Sequence, residues 1–281
     1  MIKFYSLLLS LTFIISFNSC SKKENITKLS NENIEVEMIN TYKEGLVALE
    51  GGDILFAAKK FNEAELLYPQ SEWASKSALM AAYSFYSQSY YGDAIYELNR
   101  YLKTYPNNKQ IDYANFLLAM CYYEQIIDEK KDLNPLLKSK ELFLYVIKTY
   151  PNTDYAMDAK FKLDLIEETL ASKEMYIAMH YIKKEKWISA INRYKVIVSK
   201  YNETVYIEEA IHRLVELHYK LGLKSEAKKY AKLLSYNYQS SIWYERSYIL
   251  FNSDYTKSAD KLLKDKDKKI LIIEKVKSIF N

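Results

Sequence analysis

The sequence predicts an all-α protein built from about five repeated helix pairs. Three observations lead to this: the chain has only 5 Gly and 4 Pro among 281 residues, a Tyr-Pro element recurs along it, and a matching helical pattern precedes each copy. Folds made of β-strands need many turn residues, so this scarcity favours long helices joined by short turns.

Each copy of the repeat ends at a tyrosine, and the steps between copies are 37, 45, 51 and 37 residues. The copies stand at Tyr68-Pro69, Tyr105-Pro106, Tyr150-Pro151, Tyr201-Asn202 and Tyr238-Gln239. Before each tyrosine, a small, a large and an apolar residue occur at i, i+4 and i+7, which is one face of an α-helix. The five sets are Ala57, Phe61, Ala64; Ala94, Leu98, Tyr101; Ser139, Phe143, Val146; Ala190, Tyr194, Ile197; and Ala227, Ala231, Leu234.

A second helix precedes each of these and carries a small residue where the pair should cross, at Gly45, Ala82, Ala119 and Ala178. This helix-turn-helix pattern resembles the tetratricopeptide repeat. The resemblance implies that the repeats stack into a right-handed superhelix with a concave face.

Two steps are longer than the repeat requires. The 45-residue step places an insertion at residues 127–135, between the two helices of the third repeat. The 51-residue step lengthens the first helix of the fourth repeat. We therefore predict one long helix from Tyr155 to Lys184 that bridges the N-terminal and C-terminal halves.

The N-terminus has the features of a secretory signal. Lys3 precedes an apolar stretch that is too short to span a bilayer, and this stretch leads into Cys20. The segment resembles a bacterial lipobox, which implies a signal peptide at residues 1–19, acylation of Cys20 and a flexible tether at residues 20–35. Ser21 after the cysteine fits delivery to the outer membrane. The alternative is an ordinary signal peptide with an incidental cysteine.

The insertion, the long helix and three short segments resemble the BamD family, the lipoproteins of the outer-membrane β-barrel assembly machinery. The segments are residues 111–113 (IDY), 150–155 (YPNTDY) and 187–193 (WISAINR). The resemblance implies a lipid-anchored scaffold on the periplasmic face of the outer membrane. Its partners would be the barrel-forming assembly protein with periplasmic repeats, other assembly lipoproteins and unfolded outer-membrane proteins.

The resemblance also assigns regions and residues. Residues 36–154 would hold repeats one to three and receive unfolded substrates, and residues 155–250 would hold the long helix and repeats four and five. Residues 251–281 are predicted to be a charged helical tail. Arg193, with Asn192 beside it, matches the position where the family contacts its barrel-forming partner. Leu118-Ala119 replaces an Arg-Gly pair that is usual in the family.

Tyrosine is unusually frequent, with 28 copies. In the repeat register, six aromatic residues of the first helices fall on the concave side: Tyr42, Tyr83, Tyr86, Tyr113, Phe116 and Tyr123. Tyrosine combines a large contact area with few rotatable bonds, so we predict a groove for extended peptide substrates. The alternative is that these tyrosines only fill helix positions.

The sequence argues against other classes of function. A formal charge of +4 from 40 basic and 36 acidic residues is too balanced for nucleic-acid binding. No phosphate-binding, nucleophile or metal-ligand motif is present, so we predict no enzyme activity, cofactor or metal. His180, His212 and His218 are expected to be surface or half-buried residues, and Glu167 and Glu168 to be solvated charges. The alternative function is another periplasmic adaptor, for example one coordinating cell-wall synthesis with envelope constriction.

Overall fold

The computed structural model describes residues 31–125 and 132–252, which contain eleven α-helices and no β-strand. The helices are α1 (Asn31–Glu50), α2 (Ile54–Leu67), α3 (Glu72–Ser87), α4 (Tyr91–Thr104), α5 (Ile111–Tyr123), α6 (Asn134–Thr149), α7 (Asp154–Lys183), α8 (Trp187–Lys200), α9 (Ile207–Lys220), α10 (Lys224–Asn237) and α11 (Ile242–Ile249). The first ten form five helix-turn-helix pairs, so the prediction of an all-α protein of about five repeats is confirmed. The superhelix and its handedness stay predictions.

The predicted repeat face forms the core of each pair. Every residue of the five small-large-apolar sets is buried except Ala231, which is partly exposed. The small residues of the first helices are buried as well, and Gly45 shows why: a Cβ added there would lie 2.9 Å from two ring carbons of Phe61. In the third repeat, the buried Ser139 hydroxyl donates a 2.9 Å hydrogen bond to the carbonyl of Ala119.

The repeat tyrosines mark the ends of the second helices. Tyr68, Tyr105, Tyr150, Tyr201 and Tyr238 are the C-terminal caps of α2, α4, α6, α8 and α10, with or without a following proline. Three residues later, the hydroxyls of Ser71, Thr153 and Thr204 donate to the carbonyl of the preceding tyrosine at 2.8, 2.9 and 2.7 Å. Ser71 and Thr153 also accept a backbone N–H from the next helix, which caps its N-terminus.

The turns inside four of the pairs contain a residue in the left-handed region. Gly52 and Gly222 have φ of 81° and 78°, and Ser89 and Glu185 have φ of 66° and 57° in the corresponding turns. Glycine adopts this conformation without steric strain, whereas a side chain at the same φ is disfavoured. The turn geometry is therefore kept even where the repeat lacks glycine.

The long helix α7 has 30 residues and begins and ends one residue before the predicted bounds. Its N-terminal half packs with α5 and α6, where Ile166 joins a buried cluster with Phe143. Its C-terminal half packs on α8, where Met175 and Ala178 join a second cluster with Tyr194. The helix thus links repeats three and four.

The described residues divide into two compact units, one ending at Ser77 and the other beginning at Ala78, so the boundary falls within α3. Helix α1 begins at Asn31, and residues 31–35 are therefore helical where the sequence predicts the end of a flexible tether. The signal segment, Cys20 and the tail from residue 253 lie outside the described residues. Among the described helices, none combines the length and the apolar content needed to span a bilayer.

Candidate functional site

The most specific sequence prediction, Arg193, lies on the flank of the fourth repeat. Its neighbour Tyr194 is fully buried, and a step of one residue turns a helix by about 100°, so Arg193 points out of the core. Its Nη1 atom lies 3.2 and 3.3 Å from the two carboxylate oxygens of Glu174 on α7. The arginine side chain is 40% exposed and that of Glu174 is 17% exposed. Asn192 is exposed beside it.

The Arg193–Glu174 pair leaves part of the guanidinium available. Nε and Nη2 form no hydrogen bond with any described residue, and the side chain remains partly in solvent. A guanidinium can bind a second carboxylate through these donors, because its five N–H groups are fixed in one plane. The geometry therefore suits an acidic group presented from outside the chain.

Glu174 also forms part of the wall of a cleft of about 400 Å³. The cleft lies where the N-terminus of α6, the middle of α7 and the end of α8 meet. It is lined by Asp132, Leu133, Asn134, Leu137, Leu170, Lys173, Glu174, Ile177 and Tyr201. Its lining thus combines apolar side chains with charged and amide groups, which is typical of a site that receives a protruding side chain. The walls of this cleft come from three separate helices, so no single segment of the sequence reveals it.

Five of the six aromatic groove residues are brought together in the second unit. The rings of Tyr83 and Tyr86 are 6.4 Å apart on α3, and Tyr113 and Phe116 on α5 both contact Tyr155, at 5.2 and 5.5 Å. Burial raises the pKa of Tyr113, and the nearby hydroxyls of Tyr83, Tyr155 and Tyr86 raise it further. The hydroxyls of α3 and α5 thus lie close enough to interact electrostatically.

This aromatic surface is half-buried and not an open row of rings. Tyr83 is 36% exposed, whereas Tyr86, Tyr113 and Phe116 are partly covered by their neighbours. The partly buried Tyr123 lies at the C-terminal end of α5, where Lys162 stands 4.5 Å from its ring centroid. Each of these residues is therefore partly exposed and partly packed against the repeats.

The assignment of Tyr42 to the groove is wrong. Tyr42 is only 5% exposed and packs inside the first unit, with its ring 5.2 Å from both Phe61 and Trp73. Trp73 of α3 packs edge-on against the Tyr42 ring and helps to cover it. Tyr42 is therefore a core residue.

The first repeat contains a larger cleft of about 700 Å³ between α1 and α2. Its lining includes Val47 and Phe56, which are 70% and 43% exposed, together with the charged residues Lys43, Glu44 and Asp53. Exposed apolar side chains surrounded by charges are typical of a surface that binds protein. Its residues come from two helices and the turn between them and form no motif in the sequence.

Two predictions about ionisable residues are wrong. His212 and His218 are buried, not surface or half-buried: Nδ1 of His212 lies 2.8 Å from the hydroxyl of Ser247, and Nδ1 of His218 lies 2.7 Å from the carbonyl of Leu214. The glutamates of α7 are engaged and not simply solvated. Glu167 pairs with Lys140 at 2.9 Å, and Oε1 of Glu168 accepts the backbone N–H of Val205 at 3.0 Å.

The described residues contain neither a metal-binding cluster nor an exposed cysteine. Within residues 31–125 and 132–252, no group of three or more His, Cys, Asp or Glu residues could hold a metal ion. Cys121 is fully buried, and burial raises the pKa of its thiol to about 12. Leu118 and Ala119, which replace the family's Arg-Gly pair, are buried on α5.

Comparison with known proteins gives consistent matches. A family model described as YfiO, outer membrane lipoprotein, matches residues 35–233. The outer membrane protein assembly factor BamD of Rickettsia prowazekii is 38% identical over 224 residues, covering 80% of this chain and 89% of that protein. BamD of Caulobacter vibrioides is 35% identical over 249 residues, covering 89% and 81%. Among solved structures, the TPR domain of P58(IPK) covers 78% of this chain and 57% of its own with a TM-score of 0.40 and 14% identity, a resemblance too weak to support an inference.

Proposed function

Since the chain belongs to the YfiO family of outer membrane lipoproteins, which includes the BamD assembly factors, we propose that it acts in the assembly of outer-membrane proteins. The related proteins are named as assembly factors, in agreement with the prediction that the chain is not an enzyme. In this proposal the chain is a scaffold on the periplasmic face of the outer membrane. It binds the barrel-forming partner through its fourth repeat and receives unfolded outer-membrane proteins through its N-terminal repeats.

The observation that carries the partner assignment is the half-exposed Arg193 beside the cleft of α6, α7 and α8. A carboxylate of the partner would bind the free edge of the guanidinium, and a neighbouring side chain would enter the cleft. Glu174 holds the arginine in place before the partner arrives, which reduces the entropy lost on binding. Removing one member of such a desolvated charge pair typically costs about 2–5 kcal/mol.

The test must separate this interface from the internal ion pair. Arg193→Glu alone would set two carboxylates against each other within the chain, so a loss of binding could reflect a local disturbance. The double variant Arg193→Glu/Glu174→Arg keeps an internal pair and reverses the charge offered at the flank. We expect the double variant to lose co-purification with the barrel-forming protein from solubilised outer membranes.

Lys195→Glu provides a matched control, because Lys195 is exposed on the same helix two residues away. This control should co-purify with the partner as the wild type does. If the double variant also co-purifies as the wild type does, Arg193 does not contact the partner and the interface lies elsewhere.

The substrate assignment rests on the aromatic surface of α3 and α5. Replacing Tyr83, Tyr86 and Tyr123 by Ala should weaken binding of peptides from the C-termini of barrel proteins, with about 1–2 kcal/mol lost for each contact that is a hot spot. Tyr96, a 69% exposed tyrosine on α4, is the control position. Unchanged peptide affinity in the triple variant, with intact helical content, would assign these residues to packing alone.

The membrane assignment rests on Cys20. If its thiol is acylated, Cys20→Ala should release the protein from membranes into the periplasm. The measurement is the distribution of the processed protein between membrane and soluble fractions. A Cys20→Ala protein that is processed normally and stays in the membrane pellet would contradict the lipid anchor.

A further inference from the structure

The turns inside the fourth and fifth repeats lie next to each other. Lys220, the last residue of α9, places its Nζ atom 3.7 Å from the ring centroid of Trp187, the first residue of α8. Trp187 also packs, with Tyr181 of α7, against the buried cluster that contains Leu217 of α9. The turn after α7 and the turn after α9 are therefore neighbours on one surface of the second unit.

Lysine dominates this surface. Residues 183–188 and 219–226 contain five lysines against two glutamates. All five lysines are exposed, and we call them the lysine edge: Lys183, Lys184, Lys186, Lys220 and Lys224. None of them forms an ion pair with any residue in the described ranges. Glu226 pairs instead with Lys229 at 2.8 Å, which leaves Glu185 as the one carboxylate of these two segments that can offset the lysines.

Exposed apolar side chains stand among the lysines. Leu221 and Leu223 flank Gly222 in the turn and are 37% and 48% exposed, and Ile188 after Trp187 is 61% exposed. Leucines and lysines together are typical of a surface that lies at the boundary between lipid headgroups and acyl chains. Tryptophan is enriched at the same boundary, because one part of its ring system is apolar and another is polar.

The type of cation distinguishes a membrane from an acidic protein. Lysine is depleted at protein interfaces, whereas arginine is enriched there because its planar fork matches a carboxylate. The one arginine in residues 155–200 is Arg193, at the proposed contact with a protein. Each lysine near an anionic lipid surface strengthens binding by about fivefold. The lysine edge therefore fits lipid phosphates better than the carboxylates of a protein.

We propose that the lysine edge, with the exposed leucines of its turn, binds the surface of a membrane that contains anionic lipids. The lysines lie at the level of the lipid phosphates, and Leu221 and Leu223 enter the headgroup region. This contact adds to the proposed lipid anchor at Cys20 and does not require it. It fixes which end of the repeat helices in the second unit faces the membrane.

The full chain in lipid vesicles provides the test. Ser225→Cys puts a thiol on an exposed position beside Lys224, and an environment-sensitive maleimide dye is attached to it. Cys121 is fully buried, and the wild-type chain treated in the same way gives the background. The vesicles contain phosphatidylcholine alone or mixed with phosphatidylglycerol, together with a quencher carried on a lipid chain. We expect quenching at residue 225 to be at least about threefold stronger in the anionic vesicles.

The position of the dye and the position of the charges each have a control. Asn107→Cys places the dye in the exposed turn between α4 and α5, where quenching should be equal in both lipids. Quenching at residue 225 should fall to its level in neutral vesicles in the variant Lys183→Gln/Lys184→Gln/Lys220→Gln/Lys224→Gln. It should stay as in the wild type when the same charge is removed from exposed lysines elsewhere, in Lys103→Gln/Lys109→Gln/Lys148→Gln/Lys160→Gln.

Leu221→Ser/Leu223→Ser should also weaken quenching, because electrostatic attraction alone does not bring the turn into contact with acyl chains. Equal quenching in both lipids would overturn the proposal, and so would a response that survives loss of the lysines or disappears equally in the control variant. Recovery of the chain with neutral vesicles reports the lipid anchor separately. If the anchor fails, the lysine edge still predicts binding to the anionic vesicles.

Discussion

The close packing of Gly45 on Phe61 predicts that Gly45→Ala destabilises the protein. In Gly45→Ala the new Cβ would lie 2.9 Å from Cδ1 and Cε1 of Phe61 and 3.2 Å from Cζ, well inside the ordinary carbon contact of about 3.5–4.0 Å. The ring is fully buried and packs on Tyr42 at 5.2 Å, so it cannot turn into solvent. Overpacking of this kind costs about 1–3 kcal/mol.

An opposing effect comes from the backbone. Gly45 lies in the middle of α1, where alanine is favoured over glycine by about 1 kcal/mol. The two effects leave a net destabilisation of about 1 kcal/mol, whereas the helix effect alone predicts stabilisation. Gly92→Ala in α4 is the matched control, because its added Cβ meets nothing within 4 Å apart from its chain neighbours and the nearby backbone of its own helix. That change should stabilise the protein by about 0.4–1 kcal/mol.

Hydrogen exchange of the amides in α1 and α2 measures the effect of Gly45→Ala, because it reports the opening of this helix pair separately from the second unit. Exchange of the amides in α4 measures the effect of Gly92→Ala in the same way. Adding Phe61→Leu to Gly45→Ala should recover part of the loss, since the smaller side chain frees space at the crossing. If Gly45→Ala exchanges as slowly as the wild type or more slowly, the crossing does not require glycine and the packing argument is refuted.

Three other predictions concern side chains of the second unit. Ser139→Ala should destabilise it by about 0.5–1.5 kcal/mol in urea unfolding, because the hydrogen bond to the carbonyl of α5 is lost. Cys121, with a thiol pKa of about 12, should resist alkylation at about pH 8 in the native protein and react only after denaturation. Burial by itself raises the pKa of Glu216, but hydrogen bonds with His212 and Arg213 outweigh it and hold this pKa at about 2, below the ordinary 4.5. The stabilisation is therefore present above pH 4.5 and lost as the pH falls towards 2, and Glu216→Gln should flatten acid unfolding in that window.

The sequence predicted the features that depend on local spacing. The buried sets in α2, α4, α6, α8 and α10, the repeat tyrosines and the long helix α7 all follow from periodicity within one segment. Periodicity succeeds here because each repeat contacts mainly its neighbours in the chain. One local signal was overlooked: a hydroxyl or amide side chain three residues after each tyrosine. At Ser71 and Thr153 this side chain joins the end of one pair to the start of the next.

Features that depend on distant contacts could not be predicted in this way. The burial of Tyr42 depends on Trp73, which lies 31 positions later in the chain. The partner of Arg193 within the chain is Glu174, and only the packing of α8 on α7 brings the two together. Both clefts likewise lie between helices and leave no mark in a single segment. A helical wheel gives the direction of a side chain but not what covers it.

The continuous α7 has a mechanical consequence. Its two halves complete the cores of repeats three and four, so neither core can be dismantled without exposing the apolar residues of the shared helix. Repeat arrays usually yield to force one unit after another, because each interface breaks separately. Here the two repeats should give way together, as a single longer extension in a pulling experiment. A force that a partner applies to the fourth repeat would therefore be borne by the third repeat as well.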